Sequence, residues 1–141
     1  MTNYLINSPI SPEIVAEKIR EENLKAFPGG FSVFYGQVRN DQIENKYVSS
    51  IVYSCYEQMA NKEIETIINS ISQKYYDIKS ITILHSIGEV KVGEISLFVM
   101  ISSGHRKQAF EALPELVDLI KANVPIWGKE MFEDKTYVWK K

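Results

Sequence analysis

The sequence predicts an α+β fold with three helices and a mixed or largely antiparallel sheet. Three observations carry this reading. Apolar residues recur at helical spacing in three segments, and between those segments lie β-rich runs in pairs. Helices that alternate with strand pairs, rather than with single strands, favour antiparallel or mixed sheets over a doubly wound parallel one. The chain has 141 residues, the size of one ordinary domain, so residues 1–141 are expected to fold as a single unit. The expected order is α-β-β-α-β-β-α-β-β.

Ser11-Pro12-Glu13 starts the first helix. It offers a hydroxyl N-cap, a proline at the first helical position and an acid near the positive end of the dipole. Ile14, Val15, Ile19 and Leu24 form its apolar stripe, and Pro28-Gly29-Gly30 ends the element. Phe31–Val38 is a strand, 40–46 an exposed polar loop, and Val48–Tyr56 a second strand. Gln58–Tyr76 places Met59, Ile64, Ile67, Ile68 and Ile71 at helical spacing. Ser80–Ile87 and Glu94–Ser102 are strands, joined through Gly88–Gly93 by a connection with a short extended piece of its own. His105–Asn123 is the third helix, with Phe110, Leu113, Val117 and Ile120 on its apolar face and Pro114 as a point of kinking or restart. Trp127–Phe132 and Thr136–Trp139 close the chain as a hairpin around Glu133-Asp134-Lys135.

A net charge of −2 argues against a general nucleic-acid binder, which carries a basic excess over a whole face. The lone cysteine, Cys55, forms no intramolecular disulfide, which fits a reducing compartment, read here as the cytoplasm. His85 and His105 are far apart in sequence and no Cys/His cluster has metal-ligand spacing, so no metal and no cofactor are expected. The longest apolar run, around Ile95–Ile101, is too short to span a membrane, and no secretory signal is visible.

The candidate polar residues gather in the last third of the chain. His105 and Arg106 open a helix, where backbone N–H groups and the dipole favour an anion. The alternative is a helix capped by Ser102 or Ser103 with His105 merely exposed. Lys121 lies one turn beyond Val117, at the edge of the apolar face. It either snorkels to water or is a partly desolvated amine able to exchange protons. Arg39 follows an apolar strand, placed to clamp a phosphate or carboxylate or to make a surface ion pair. Lys129 lies beside Trp127 and Glu130 in the closing strand. Cys55 and His85 are read as packed strand residues.

Taken together, these segments resemble the large, catalytic subunit of molybdopterin synthase. Phe34-Tyr35-Gly36-Gln37-Val38-Arg39-Asn40 resembles the family's F-x-G-x-V-R-x segment, and Tyr53 to Ala60 its Y-E-x-Y-x-x-M-A segment. His85-Ser86-Ile87-Gly88, followed by Gly93-Glu94, resembles H-R-x-G and G-E. His105 to Phe110 matches H-R-x-x-A-F, and Lys121 to Glu130 resembles K-x-x-x-P-I-W-K-K-E. The motifs run in order from Gly30 to Trp139. The resemblance implies an α/β hammerhead-type fold and a homodimer within a heterotetramer. It also implies a small ubiquitin-like sulfur-carrier subunit whose thiocarboxylated Gly-Gly terminus enters the active site. The implied substrate is cyclic pyranopterin monophosphate, converted by two sulfur transfers to the dithiolene of molybdopterin. Because the sulfur arrives with the partner, no catalytic cysteine is needed.

Carried over residue by residue, Lys121 falls on the family's essential lysine, in proton transfer or charge stabilisation. Arg39 falls on its substrate-contacting arginine, and His105 and Arg106 on the pair that holds the pterin phosphate. Gln37 and Val38 line the same segment and offer backbone contacts, and Glu130 falls on the glutamate of the closing motif. Gly128 stands where the family has a second active-site lysine. Lys129 matches the next basic residue and is expected to serve only if a bulge turns it inward. Ser86 and Ser54 replace an arginine and a glutamate. The alternative to a working sulfurtransferase is a non-catalytic homologue that binds the small subunit or pterin without turnover, with Gly128 as the reason. On one straight helix, the Cα atoms of His105 and Lys121 stand roughly 24 Å apart at ~1.5 Å per residue. One pterin cannot touch both. Each site is therefore expected to take Arg39 and Lys121 from one subunit and His105-Arg106 from its mate.

Overall fold

The computed structural model describes residues 2–140. Its elements in order are β1 (Leu5–Ile6), α1 (Pro12–Asn23), β2 (Gly30–Gln37), β3 (Gln42–Ile43), β4 (Lys46–Cys55) and α2 (Glu57–Lys74). There follow β5 (Ile78–Ser86), β6 (Gly88–Lys91), β7 (Ile95–Ser103), α3 (Arg106–Asn123), β8 (Ile126–Phe132) and β9 (Tyr137–Trp139). The three expected helices are present, and the strands form two sheets.

The first sheet has the order β1-β5-β7-β2 and is mixed, because β1 runs parallel to β5 while the other pairs are antiparallel. Its centre, β7, is the apolar run of the sequence, and its continuous hydrophobicity reflects burial on both faces. Leu97, Val99 and Ile101 face a core built with Ala60, Ile64, Ile67 and Ile71 of α2 and Ala109, Ala112, Leu116 and Ile120 of α3. Phe98 and Met100, on the alternate positions, pack on the other side with Ile10, Leu84, Ile14 and Val15. The second sheet has the order β3-β4-β8-β9, with β6 also paired to β4. A small cluster of Val38, Ile51 and Val90, with Tyr53 against it, sits beside this sheet.

Several expectations are corrected. β1 and β3 were not anticipated; each is two residues long, too short for a periodic signal, and β3 lies inside the expected 40–46 loop. The turn that joins β3 to β4 has Glu44 and Asn45 at φ 51° and 66°. The first helix ends at Asn23, and Leu24 is 89% exposed instead of joining the apolar stripe. Its inward polar residue is Glu22, buried, with Ser80 Oγ donating to it and Lys25 Nζ at 2.7 Å. Phe110 and Met59 are exposed; α3 buries Ala109, Ala112 and Leu116 together with the expected Ile120, and Leu113 and Val117 pack partly buried against the same core. Phe110 falls outside the i, i+3, i+7 stripe that Ala109, Ala112 and Leu116 form. Pro114 does not interrupt α3; it stands on the exposed side of the helix.

Candidate functional site

A cavity of 370 Å³ opens between the two sheets, near the C-terminal end of α3. That is the size of a small-molecule site. The end of β2 and the residues after it supply Gly36 to Arg39 and Asp41; β4 supplies Ile51 and Tyr53; β5 supplies His85. The last turn of α3 supplies Ile120 and Lys121, β8 supplies Gly128 and Glu130, and Lys140 enters from beyond β9.

All of the sequence motifs but the one at His105 converge here, because the end of β2, the end of α3 and the closing strands meet. Gln37 ends β2 at a register shift between Gly36 and Gln37, which releases the chain from the ladder just before Arg39. The Arg39 guanidinium is largely exposed and paired with Asp41 at 3.1 Å. Such an exposed pair is weak and readily exchanged for a ligand oxyanion. Val38 is buried; its N–H donates to the Glu94 carbonyl and its own carbonyl accepts from Gly93. Val38 therefore contributes side-chain packing, and its N–H is not free for the backbone contact expected of it.

Lys121 ends α3 beside the cavity. Partial loss of hydration there lowers the pKa of its amine, and the nearby Lys140 ammonium lowers it further. His85 faces the same cavity and packs edge-on against Tyr53, ring centroids 5.1 Å apart. Its Nδ1–H donates to the Ser86 carbonyl at 2.7 Å, which leaves Nε2 as the acceptor of a neutral ring. Burial drives the His85 pKa down to about 4, and the charge on Lys121 acts in the same direction. Burial raises Tyr53 above the ordinary tyrosine value, Ser96 opposes this by hydrogen bonding, and Glu130 reinforces it. One carboxylate oxygen of Glu130, Oε2, is buried with no hydrogen-bond partner among the described residues.

The remaining candidates lie elsewhere. His105 and Arg106 are exposed at the opposite end of the unbroken α3 from Lys121, and neither lines the cavity. The helix start there already holds a carboxylate of the protein's own: His105 N–H donates to Asp77 Oδ2 at 2.8 Å. That bond, with lesser help from Lys79, holds the Asp77 carboxyl below its usual range. A Cβ at Gly104 would stand 2.7 Å from Asp77 Oδ1, so a larger residue there would push that carboxylate aside. Lys129, expected to enter the site, points to the other face of β8. Its ammonium lies 4.6 Å from the Tyr137 ring centroid and 5.7 Å from that of Trp139. No bulge intervenes: Lys129 pairs regularly with Trp139, and normal strand alternation turns it away while Gly128 and Glu130 face the cavity.

Tyr53, His85 and Lys140 are site residues that sequence reasoning did not select. His85 and Tyr53 lie in β-rich runs and look like packing residues until two strands are brought together. Lys140 could have been found by counting the closing hairpin from its turn. Cys55 is half-buried and lies outside the cavity, and its thiol pKa is raised by burial, as suits a packed residue. Among the described residues, no group of acidic, histidine or cysteine side chains could hold a metal ion, and no helix is long and apolar enough to cross a membrane.

A family model described as MoaE protein matches residues 5–123. The molybdopterin synthase catalytic subunit of Taeniopygia guttata is 34% identical over 130 residues, covering 92% of this chain and 83% of the relative. That of Dictyostelium discoideum is 48% identical over 107 residues, covering 75% and 67%. The crystal structure of molybdopterin synthase from Staphylococcus aureus superposes with a TM-score of 0.86 at 30% identity, covering 100% of this chain and 98% of the other. A chain from the complex of subunits 1 and 2 of the Helicobacter pylori molybdopterin-converting factor shares the fold, with a TM-score of 0.80 at 22% identity over 97% and 88% of the two chains.

Proposed function

The chain belongs to the MoaE family of molybdopterin synthase catalytic subunits, acting in molybdenum cofactor biosynthesis, and from that premise we propose that its cavity is where sulfur is transferred to cyclic pyranopterin monophosphate. The observation that carries this reading is the convergence of Arg39, Lys121 and Glu130 on one cavity that a single pterin can fill. Glu130 presents a buried carboxylate oxygen without a partner, and a pterin ring carries N–H groups that such an oxygen accepts. Arg39 exchanges Asp41 for a substrate oxyanion.

The donor is a small ubiquitin-like subunit whose thiocarboxylated terminus reaches Lys121; the H. pylori factor is likewise a complex of two subunits. The cavity has no thiol of its own, so the sulfur nucleophile comes with that tail. The positive charge of Lys121 stabilises the anionic sulfur as it attacks, and a lowered pKa makes the same amine a ready proton donor. Because His105 and Arg106 lie about 24 Å along α3 from Lys121, they complete the site of a second copy, where they hold the substrate phosphate. β2 supports such a pairing: it is an edge strand, and Phe31, Val33 and Tyr35 stand exposed along one face.

A single-turnover assay with thiocarboxylated small subunit and cyclic pyranopterin monophosphate tests the proposal. Wild type forms molybdopterin, and Lys121→Ala lowers its rate by roughly 100-fold or more. Full activity in Lys121→Ala would remove this amine from the chemistry.

A further inference from the structure

We propose that Lys140 is a second substrate-contacting lysine of this site, reaching the cavity from just beyond β9, opposite Gly128, and forming with Lys121 a two-ammonium clamp for an oxyanion. The inference rests on the cavity's role in sulfur transfer.

Strand register is the first ground for it. β9 pairs with β8 so that Trp139 is opposite Lys129, and the ladder runs one residue further: Lys140 N–H donates to the Gly128 carbonyl at 2.8 Å. Residues directly opposite one another in antiparallel strands project to the same face. The side chains of Lys129 and Trp139 share the outer face, where the ammonium lies over the indole. Lys140 therefore takes the inner face with Gly128, and both line the cavity.

Space is the second ground. A Cβ at position 128 would come within 2.9 Å of Ile51 Cγ2 and 3.3 Å of Tyr53 Cε1. A side chain there has to push aside the Ile51 methyl first and then crowd the Tyr53 ring that packs on His85. The face that position 128 leaves empty is served from across the ladder.

Charge is the third. The groups that face Lys121 around the cavity are His85, Tyr53, Glu130, Arg39, Asp41 and Lys140. Arg39 is paired with Asp41, and His85 is neutral above pH 4 or so. Neither Lys121 nor Lys140 has an ion-pair partner among the described residues. Two ammonium groups close enough for one to lower the other's pKa repel each other until an anion enters between them. The anion is an oxyanion of the phosphate or carboxylate kind, carried either by the pterin substrate or by the tail of the sulfur donor.

The test compares wild type, Lys140→Ala and Lys140→Arg. The Lys121 pKa is read by NMR of its Nζ, and affinities for cyclic pyranopterin monophosphate and for the small subunit, ending in carboxylate or amide, by calorimetry. Lys140→Ala is expected to raise the Lys121 pKa, and Lys140→Arg to restore it. Affinity in Lys140→Ala falls roughly tenfold. A loss for the pterin assigns the anion to the substrate. A loss for the carboxylate-ended donor, absent with the amide, assigns it to the tail. Unchanged affinity for both, or an unmoved Lys121 pKa, overturns the clamp while leaving the sulfur-transfer reading intact. A wild type that binds neither ligand overturns both.

Discussion

His85 shows how a single side chain changes meaning with its surroundings. In sequence it is a histidine between Leu84 and Ser86 in a strand. In the fold it is a neutral ring in the cavity wall, held by the Ser86 carbonyl and the Tyr53 ring. Its pKa is depressed from 6.5 to about 4, so between those values the unfolded chain binds the proton and the folded one does not. Its contribution to stability is therefore fully present above pH 6.5 and is lost as pH falls through that window toward 4. The loss is on the order of 3 kcal/mol for one group. Urea titrations at pH 7 and pH 4.5 should show a marked acid destabilisation of wild type and a much smaller one in His85→Leu; equal slopes would mean that the ring is free to protonate in the fold. Lys121 shifts in the same direction for a related reason, since burial and a like charge both disfavour its ammonium.

The helix that carries Lys121 sets the reach of the site. α3 is continuous over 18 residues although Pro114 lies inside it. Proline removes one backbone hydrogen bond and crowds the preceding turn, yet Pro114 stands on the exposed side, where the lost bond opens to water. The buried face of Ala109, Ala112, Leu116 and Ile120 holds the helix straight enough to separate its two ends. Pro114→Ala should raise the unfolding free energy by about 1–2 kcal/mol, after allowance for the freer unfolded chain, and leave turnover unchanged. Urea unfolding checks the first expectation and the single-turnover assay the second. The β8–β9 hairpin is the other element that shapes the cavity. Its turn is held by Thr136 donating to Asp134 and by the Lys46–Asp134 pair at 3.1 Å, and its register delivers Lys140 opposite Gly128.

At the scale of the whole molecule, the two ends of α3 stand too far apart for one small ligand to touch both. If two copies share each site, Lys121→Ala and the double variant His105→Ala/Arg106→Ala are each inactive alone. Mixed after unfolding and refolding together, they form heterodimers with one intact site, and roughly a quarter of wild-type activity returns. A mixture as inactive as its components would mean that one copy suffices for each site. The exposed edge of β2 offers a second check on assembly. Tyr35→Asp should yield monomers in sedimentation and lose turnover, while the Lys121 cavity stays folded.

Three helices, the apolar strand around Ile95–Ile101 and the family were legible in the chain alone. The first two rest on periodicity within one segment, and the third on motif order along the chain; neither needs a neighbour in space. Lys121 and Arg39 stood out as well, since both flank apolar elements in recognisable motifs, and both line the cavity. Only the tertiary structure decided which of two adjacent residues faces the cavity. Strand pairing turned Lys129 outward onto Trp139 and brought Lys140 inward beside Gly128. It likewise made His85 and Tyr53 part of one wall and committed the Val38 N–H to Glu94. These outcomes depend on register between distant segments, and a one-residue slip would reverse every one of those facings.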